Sequence, residues 1–393
     1  MFGARRKAIN KYRNEIALIW LCAVGGVFGN ISPFFYGVLA EQIVLTGTHV
    51  GYVAGAELLG MCLCSLAVSF FLIRWRLKVL LLIAASAASV CNLITPFAES
   101  FVELLVIRFL SGFMGSGLIY SIAFGLVTRQ NNPDRLIALG LLVQVSLSSA
   151  LLFSFPHIAS SFNWRLIAYI VGAIYASTLL LLPLLPERIA PYVTCGLSWR
   201  INDSSISTIK LLSALFLFYI SIGTTWPFVA LIAKDSGLSD TIVGSGLGIG
   251  LLIGACGGLV VALLGMRYGR IGPLSISLLG MGISFVLFGD VLSSTMFFVA
   301  IAILCFFWDY GQPYLLAAIG DSDNSGRFSV LIPAVVGLGY SLGSTISGYL
   351  IPVIGLNYIA MSGVAFLVLS GSLLYSEYRS ENGSSMGSLK YEA

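Results

Sequence analysis

Thr241-Ile-Val-Gly-Ser-Gly-Leu-Gly-Ile-Gly-Leu-Leu-Ile-Gly-Ala-Cys-Gly-Gly-Leu-Val-Val-Ala-Leu-Leu264 carries no formal charge from end to end. About 20 apolar residues in a helix cross a hydrocarbon core roughly 30 Å thick, so this stretch reads as a transmembrane helix. Gly246, Gly250, Gly254 and Gly258 recur every fourth residue along it and lay a bare stripe on one face. Such stripes let helix backbones approach closely. A sliding contact between two halves of a molecule and static packing both fit the spacing.

Eleven further stretches read the same way. They lie near 16–38, 50–73, 78–97, 101–127, 135–157, 163–185, 209–233, 272–290, 294–320, 328–349 and 355–376. Hydrophobic residues make up 58% of the chain and charged residues 10%, with a mean hydropathy of +0.96. Soluble domains carry roughly 25% charged residues, so most of this surface has to face lipid. Helices are the expected spans, because each satisfies its own backbone hydrogen bonds. A β-barrel would show short alternating segments instead.

The net charge of +4 matters less than where the charges fall. With the amino terminus placed inside, 18 of the 21 Lys and Arg lie on the inner side, from Arg5, Arg6 and Lys7 to Arg379 and Lys390. Arg165 and Lys234 fall outside, and Arg108 lies within a span. Positive residues stay cytoplasmic during insertion, so both termini are expected there, in the plasma membrane or the inner membrane of a Gram-negative cell. The basic start could mimic a signal peptide, but the apolar run after it is long and reads as a retained helix. A nucleic-acid patch there is disfavoured for the same reason. Six of the seven cysteines lie in spans and Cys195 in a loop, without metal-ligand or disulfide-framework spacing. The methionines give little support to a metal pathway. No metal or cofactor is expected.

The polar connection 187–208 divides six spans from six. The expected organisation is a cytoplasmic start at 1–15, a six-helix bundle over 16–186, the linker, a second bundle over 209–376 and a tail at 377–393. Sliding the first half onto the second by about 192–194 residues superposes Pro33-Phe34 on Pro227-Phe228, Val50-Gly51 on Val243-Gly244, Arg76 on Arg270 and Arg135 on Arg327. Parallel six-helix repeats with a site at their interface are a known transporter architecture.

Arg108-x-x-x-Gly112 in the fourth span, Trp164-Arg165 at the start of the sixth and the loop Gly265-Met-Arg-Tyr-Gly269-Arg270 together resemble the major facilitator superfamily. The loop after span two keeps only Arg74-Trp-Arg76-Leu-Lys78, and the loop pattern's acidic residue is missing in both halves. Span five, with Gln144-Val-Ser-Leu-Ser-Ser149, lacks the Gly-Pro pattern typical of the superfamily's drug/proton antiporters. The resemblance implies an all-α fold of 12 transmembrane helices, arranged as two pseudo-symmetric six-helix bundles that rock around a central cavity. It also implies that spans one, four, seven and ten line that cavity.

Ionisable residues at membrane depth are costly and usually functional, which singles out Glu57, Arg108 and Asp309. Glu57 and Arg108 each lie seven residues, about 10 Å, inside the outer ends of their spans. A buried pair is expected there, either receiving an anionic substrate and tuning a proton site or locking two helices together. Asp309 sits mid-span within Phe307-Trp308-Asp309-Tyr310-Gly311-Gln312-Pro313. Low dielectric favours the neutral form of a carboxyl, a property that suits proton uptake and release. Trp308 and Tyr310 could stack on a solute, Gln312 could hydrogen-bond it, and Pro313 permits bending. A carboxylate merely bonded to a neighbouring helix is the bland alternative. Asn30, Tyr120, Gln144 and Trp226 complete the cavity candidates; Arg76 and Arg270 join the glycine stripe as gating or packing residues. Gly339, Gly343 and Ser347 form a second small-residue stripe, and His49 and His157 fall at the outer surface.

The expected function is secondary transport of a small organic solute, coupled to protons, by a monomer in the bilayer. Proton coupling is favoured because no Gly-x-x-x-x-Gly-Lys-Ser/Thr loop is present. Efflux of a drug or metabolite is the alternative. A membrane enzyme would need a residue constellation that neither histidine provides, and a receptor or scaffold would usually show a soluble domain or a long tail.

Overall fold

The computed structural model describes residues 2–43, 45–71, 75–130, 132–187, 203–289, 293–323, 328 and 331–389. Arg74, Arg188, Cys195, Arg200, Arg327 and Lys390 lie outside the described residues, as do the side chains of the basic start. All regular structure among the described residues is helical. The spans are α1 (Asn14–Gln42), α2 (Gly47–Val68), α3 (Leu77–Phe97), α4 (Phe101–Val127), α5 (Arg135–Ser161), α6 (Arg165–Leu184), α7 (Ile206–Asp235), α8 (Asp240–Leu264), α9 (Ile271–Leu287), α10 (Ser294–Ser322), α11 (Ile332–Ile354) and α12 (Ile359–Arg379). Eleven of these are long and apolar enough to cross a membrane by length and composition, and α9 is apolar but shorter. The chain is a multi-pass membrane protein. Helical bonding also runs past the expected membrane edges, from Phe2 into α1 and on to Leu389 after α12, where no proline interrupts it.

The spans start and stop where their sequences dictate. Ser100, Ser239 and Ser293 cap the first turns of α4, α8 and α10 by accepting from the backbone N–H of Glu103, Ile242 and Met296. Ser100 and Ser293 hold equivalent places in the two halves. Gly355 ends α11 at φ +84°, a conformation that L side chains avoid.

Packing repeats as the sequence repeats. In the first half α1 packs on α5, α2 on α4, α3 on α4 and α3 on α6. In the second half α7 packs on α11, α8 on α10, α9 on α10 and α9 on α12. Each pair of one bundle thus recurs six helices later. The bundles meet through α2 against α11 and α5 against α8, themselves related by the same exchange. Both seams rest on close backbone approach. A Cβ on Gly51 would stand 2.6 Å from Gly348 Cα, and Ser341 Oγ donates to the Gly55 carbonyl at 2.7 Å. Ser149 Oγ donates to the Gly248 carbonyl at 3.1 Å.

At the face opposite the termini, local ties join α1 to α7 across the halves. Lys234 at the end of α7 pairs with Glu41 at the end of α1 at 2.8 Å and with Asp240 at 2.7 Å. A Cβ on Gly37 would stand 3.0 Å from Ala230 Cβ. Meanwhile α4 packs on α1, α2 and α3, and α10 on α7, α8 and α9, each within its own half.

Candidate functional site

Two sets of residues stand at membrane depth, one inside the first bundle and one where the bundles face each other. The first is built on Arg108, which is fully buried, and Glu57, which is 2% exposed. Arg108 grips both carboxylate oxygens, Nε on Oε2 at 3.1 Å and Nη2 on Oε1. Its remaining nitrogen, Nη1, reaches Asn92 Oδ1 at 3.0 Å and Thr95 Oγ1 at 3.5 Å in α3. Tyr36 donates its hydroxyl to Glu57 Oε2. Phe28 covers the guanidinium at 4.2 Å from its ring centroid and Phe35 at 5.2 Å. Four helices of one bundle therefore close on a single cation. Gly112 explains the Arg-x-x-x-Gly spacing, since a Cβ there would stand 2.0 Å from the Glu57 carbonyl oxygen. The helix loosens into a π-helical turn over Ser111–Ser116, which includes that contact. All three guanidinium nitrogens of Arg108 are engaged, and Phe28 and Phe35 crowd the group from the α1 side, which leaves no nitrogen free for a solute anion.

The second set begins with prolines. A proline has no N–H, so the carbonyl four residues earlier loses its helical donor. Pro33 frees the carbonyl of Gly29 in this way, and Trp226 Nε1 donates to it across the halves at 2.8 Å. Pro227, the equivalent proline, frees Gly223, and Ser344 Oγ donates to that carbonyl at 3.2 Å. Trp226 in turn meets Trp308 edge-to-face, with ring centroids 5.5 Å apart. Tyr219 and Tyr340 complete the ring set, 6.5 and 6.3 Å from Trp308. Trp308 Nε1 is buried with no well-aligned hydrogen bond among the described residues, and the Tyr219 hydroxyl lies within interaction range of it.

Asp309 is the next residue along. Its carboxylate points at α8, so that a Cβ on Gly254 would stand 2.7 Å from Oδ2. Among the described residues no hydrogen bond or ion pair holds this carboxylate. It lies within electrostatic range of Tyr219 and of Cys305. Pro313 follows four residues later and removes the helical donor of the Asp309 carbonyl.

Other predicted residues divide. Asn30 donates to Ser148 Oγ at 3.3 Å and Gln144 to the Gly26 carbonyl at 3.2 Å, joining α1 to α5, and Gln144 Oε1 is buried without a hydrogen-bond partner among the described residues. The Tyr120 ring lies against Phe124, 4.5 Å between centroids. Tyr310 turns away from Trp308 and joins Phe306 and Tyr314. Gln312 is half-buried, with no hydrogen bond among the described residues. Arg270 pairs with Asp321 at the end of α10, whereas Arg76 is exposed. His49 stacks on Phe101 and His157 is exposed.

The glycine stripe packs within its own half and does not form the contact between the halves. Gly246, Gly250 and Gly254 face Phe297, Ile301 and Asp309 of α10 in their own half, while Gly258 meets nothing within 4 Å. The seam between the halves uses Gly244 and Gly248 on another face of the same helix, against Leu152 and Phe153. A helix with so many glycines offers several bare faces, and spacing alone does not choose among them. Tyr36, Asn92, Tyr219 and Tyr340 went unnoticed in the sequence, because neutral polar residues are common in spans. For Asn92, its place on α3 facing Arg108 was the missing signal.

No protein-family model matches the chain, and no curated protein matches its sequence. Solved structures do. Nucleoside transporter NupG, as its D323A mutant, has a TM-score of 0.71 at 13% identity, covering 93% of this chain and 100% of that one. The chain has the major facilitator fold. A bacterial homolog to the human lysosomal transporter Spinster aligns with a TM-score of 0.69 at 15% identity, over 94% of this chain and 97% of that one. The xylose transporter XylE from E. coli aligns at 0.71 and 11% identity, over 92% and 97%. At these identities the likeness is one of backbone.

Proposed function

We propose that this protein is a secondary active transporter that carries a small organic solute by alternating access and couples it to protons through Asp309. The observation that carries the reading is the free carboxylate of Asp309 at the middle of α10, beside the aromatic group of Trp226, Trp308, Tyr219 and Tyr340. Charge at that depth is costly unless it is used. The seams α2–α11 and α5–α8 give two bundles an axis to rock about, and the α1–α7 ties at the face opposite the termini suit one end state of that motion. The bias of Lys and Arg supports placing the termini face in the cytoplasm. The similar structures, named as nucleoside and xylose transporters, support a small organic solute in general terms. Arg108 lends no support to an anionic one, since its donors are spent on Glu57, Asn92 and Thr95.

The test is flux in proteoliposomes under an imposed pH gradient, with a panel of radiolabelled solutes and an uncoupler as control. Wild-type protein accumulates or expels at least one solute in an uncoupler-sensitive manner, and Asp309→Asn retains only downhill exchange. Gradient-driven flux that persists at the wild-type rate in Asp309→Asn removes Asp309 from the coupling role.

A further inference from the structure

Among the described residues the groups around Asp309 are neutral side chains and aromatic rings, with no cation among them. The helices packed on α10 are α7, α8 and α9. Neither α8 nor α9 contains a Lys or Arg. On α7, Lys210 and Lys234 sit at opposite ends, and both are ion-paired, with Glu377 and with Glu41 and Asp240. The titratable groups left on these elements near the carboxylate are Tyr219 of α7 and Cys305 of α10 itself, both neutral at ordinary pH. In the first bundle the one membrane-depth cation, Arg108, is neutralised by Glu57. Among the described residues, Asp309 is thus the charge at membrane depth that no ion pair balances.

Its own backbone adds a second acceptor, since Pro313 leaves the Asp309 carbonyl without the donor that the helix would supply. Gly254, having no side chain, lets Oδ2 lie against the α8 backbone. Trp308, Trp226, Tyr219 and Tyr340 bring four aromatic rings to the neighbouring turn. Aromatic faces attract organic cations most strongly where water is excluded. An uncompensated carboxylate in low dielectric needs a counter-charge, which can be a proton or a bound cation.

We infer that the solute is an organic ammonium ion that takes the place of the proton on Asp309, its N–H groups bonded to the carboxylate and its apolar part against the aromatic rings. The exchange balances: the neutral carboxyl and one ammonium cation become a carboxylate–ammonium pair and one free proton. No other group changes charge, and the two occupants exclude each other, so their fluxes run in opposite directions. The inference rests on the transport reading above and names its substrate class.

Binding to the full-length protein in detergent tests it, with three probes of similar shape: phenethylamine, 2-phenylethanol and phenylacetate. The amine keeps its positive charge below about pH 8, as lysine does. Wild-type protein binds the amine at least about tenfold more tightly than the other two and releases one proton per cation into weakly buffered solution. Amine affinity rises about tenfold per pH unit while Asp309 is still protonated, the slope of a one-proton exchange. Asp309→Asn loses at least about tenfold in affinity and all proton release. Asp309→Glu keeps the release and carries the test if Asp309→Asn fails to fold. Equal binding of the alcohol or the acid, cation binding without proton release, or no binding of the amine each overturns the inference. If Asp309-dependent, proton-driven flux of a neutral or anionic solute survives those results, the transport reading stands alone. If the amine binds as expected but no solute moves, transport falls and the cation site remains.

Discussion

Replacing Arg108 by Met distinguishes a structural lock from a receptor for solute. The substitution removes a two-point grip on Glu57, the bonds to Asn92 and Thr95 and the contact with Phe28, and leaves the buried Glu57 with Tyr36 as its remaining hydrogen-bond donor. Removing one partner of a buried ion pair costs about 3–5 kcal/mol, because the other charge stays behind unpaired. Unfolding entropy of about 2.1 cal/mol/K per residue converts that, for a chain of 393 residues, into a melting temperature lower by about 4–6 °C. The assay is thermal unfolding in detergent, followed by loss of monodisperse protein. A double variant, Glu57→Gln with Arg108→Met, contains no stranded charge and regains part of the loss. All partners of this pair lie in α1 to α4, so a solute that binds the wild type binds the surviving folded fraction of either variant with unchanged affinity. Melting of Arg108→Met within about 1 °C of wild type, together with lost solute binding, refutes the reasoning and returns Arg108 to the binding site.

Two further outcomes follow from close contacts. Gly254→Ala places a methyl group 2.7 Å from Asp309 Oδ2 and 3.2 Å from the Cys305 carbonyl oxygen. It lowers proton-driven flux at least about tenfold while melting falls by no more than the cost of modest overpacking, about 1–3 kcal/mol; flux equal to wild type contradicts the placement of the carboxylate. Cysteines at Gly37 and Ala230 start from a Cβ separation of 3.0 Å, close to the roughly 3.5–4.5 Å of a disulfide. They cross-link under mild oxidation and stop transport until reduced. Adding Lys234→Met removes the ion pairs with Glu41 and Asp240, worth about 0.2–1 kcal/mol for partly exposed groups, and slows that cross-linking up to about fivefold. Failure of the pair to cross-link rejects closure at this face.

Hydropathy, charge placement and the repeat determined the class of this protein, its twelve spans and its division into related halves. Those features follow from transfer free energies summed along a segment, and such sums are local to the sequence. Glu57, Arg108 and Asp309 were visible for the same reason, because a charge inside an apolar run needs no fold to stand out. Their partners needed the fold. That Arg108 is saturated by Glu57, Asn92 and Thr95, whereas Asp309 keeps a free carboxylate, depends on which faces of α2, α3 and α8 turn toward them. The glycines of α8 show the same division. Their spacing announced close packing, but only the positions of α5 and α10 separated the seam at Gly244 and Gly248 from the space that Gly254 leaves for Asp309. Helical rotation is set by contacts between segments far apart in the chain, and a one-dimensional pattern does not contain it.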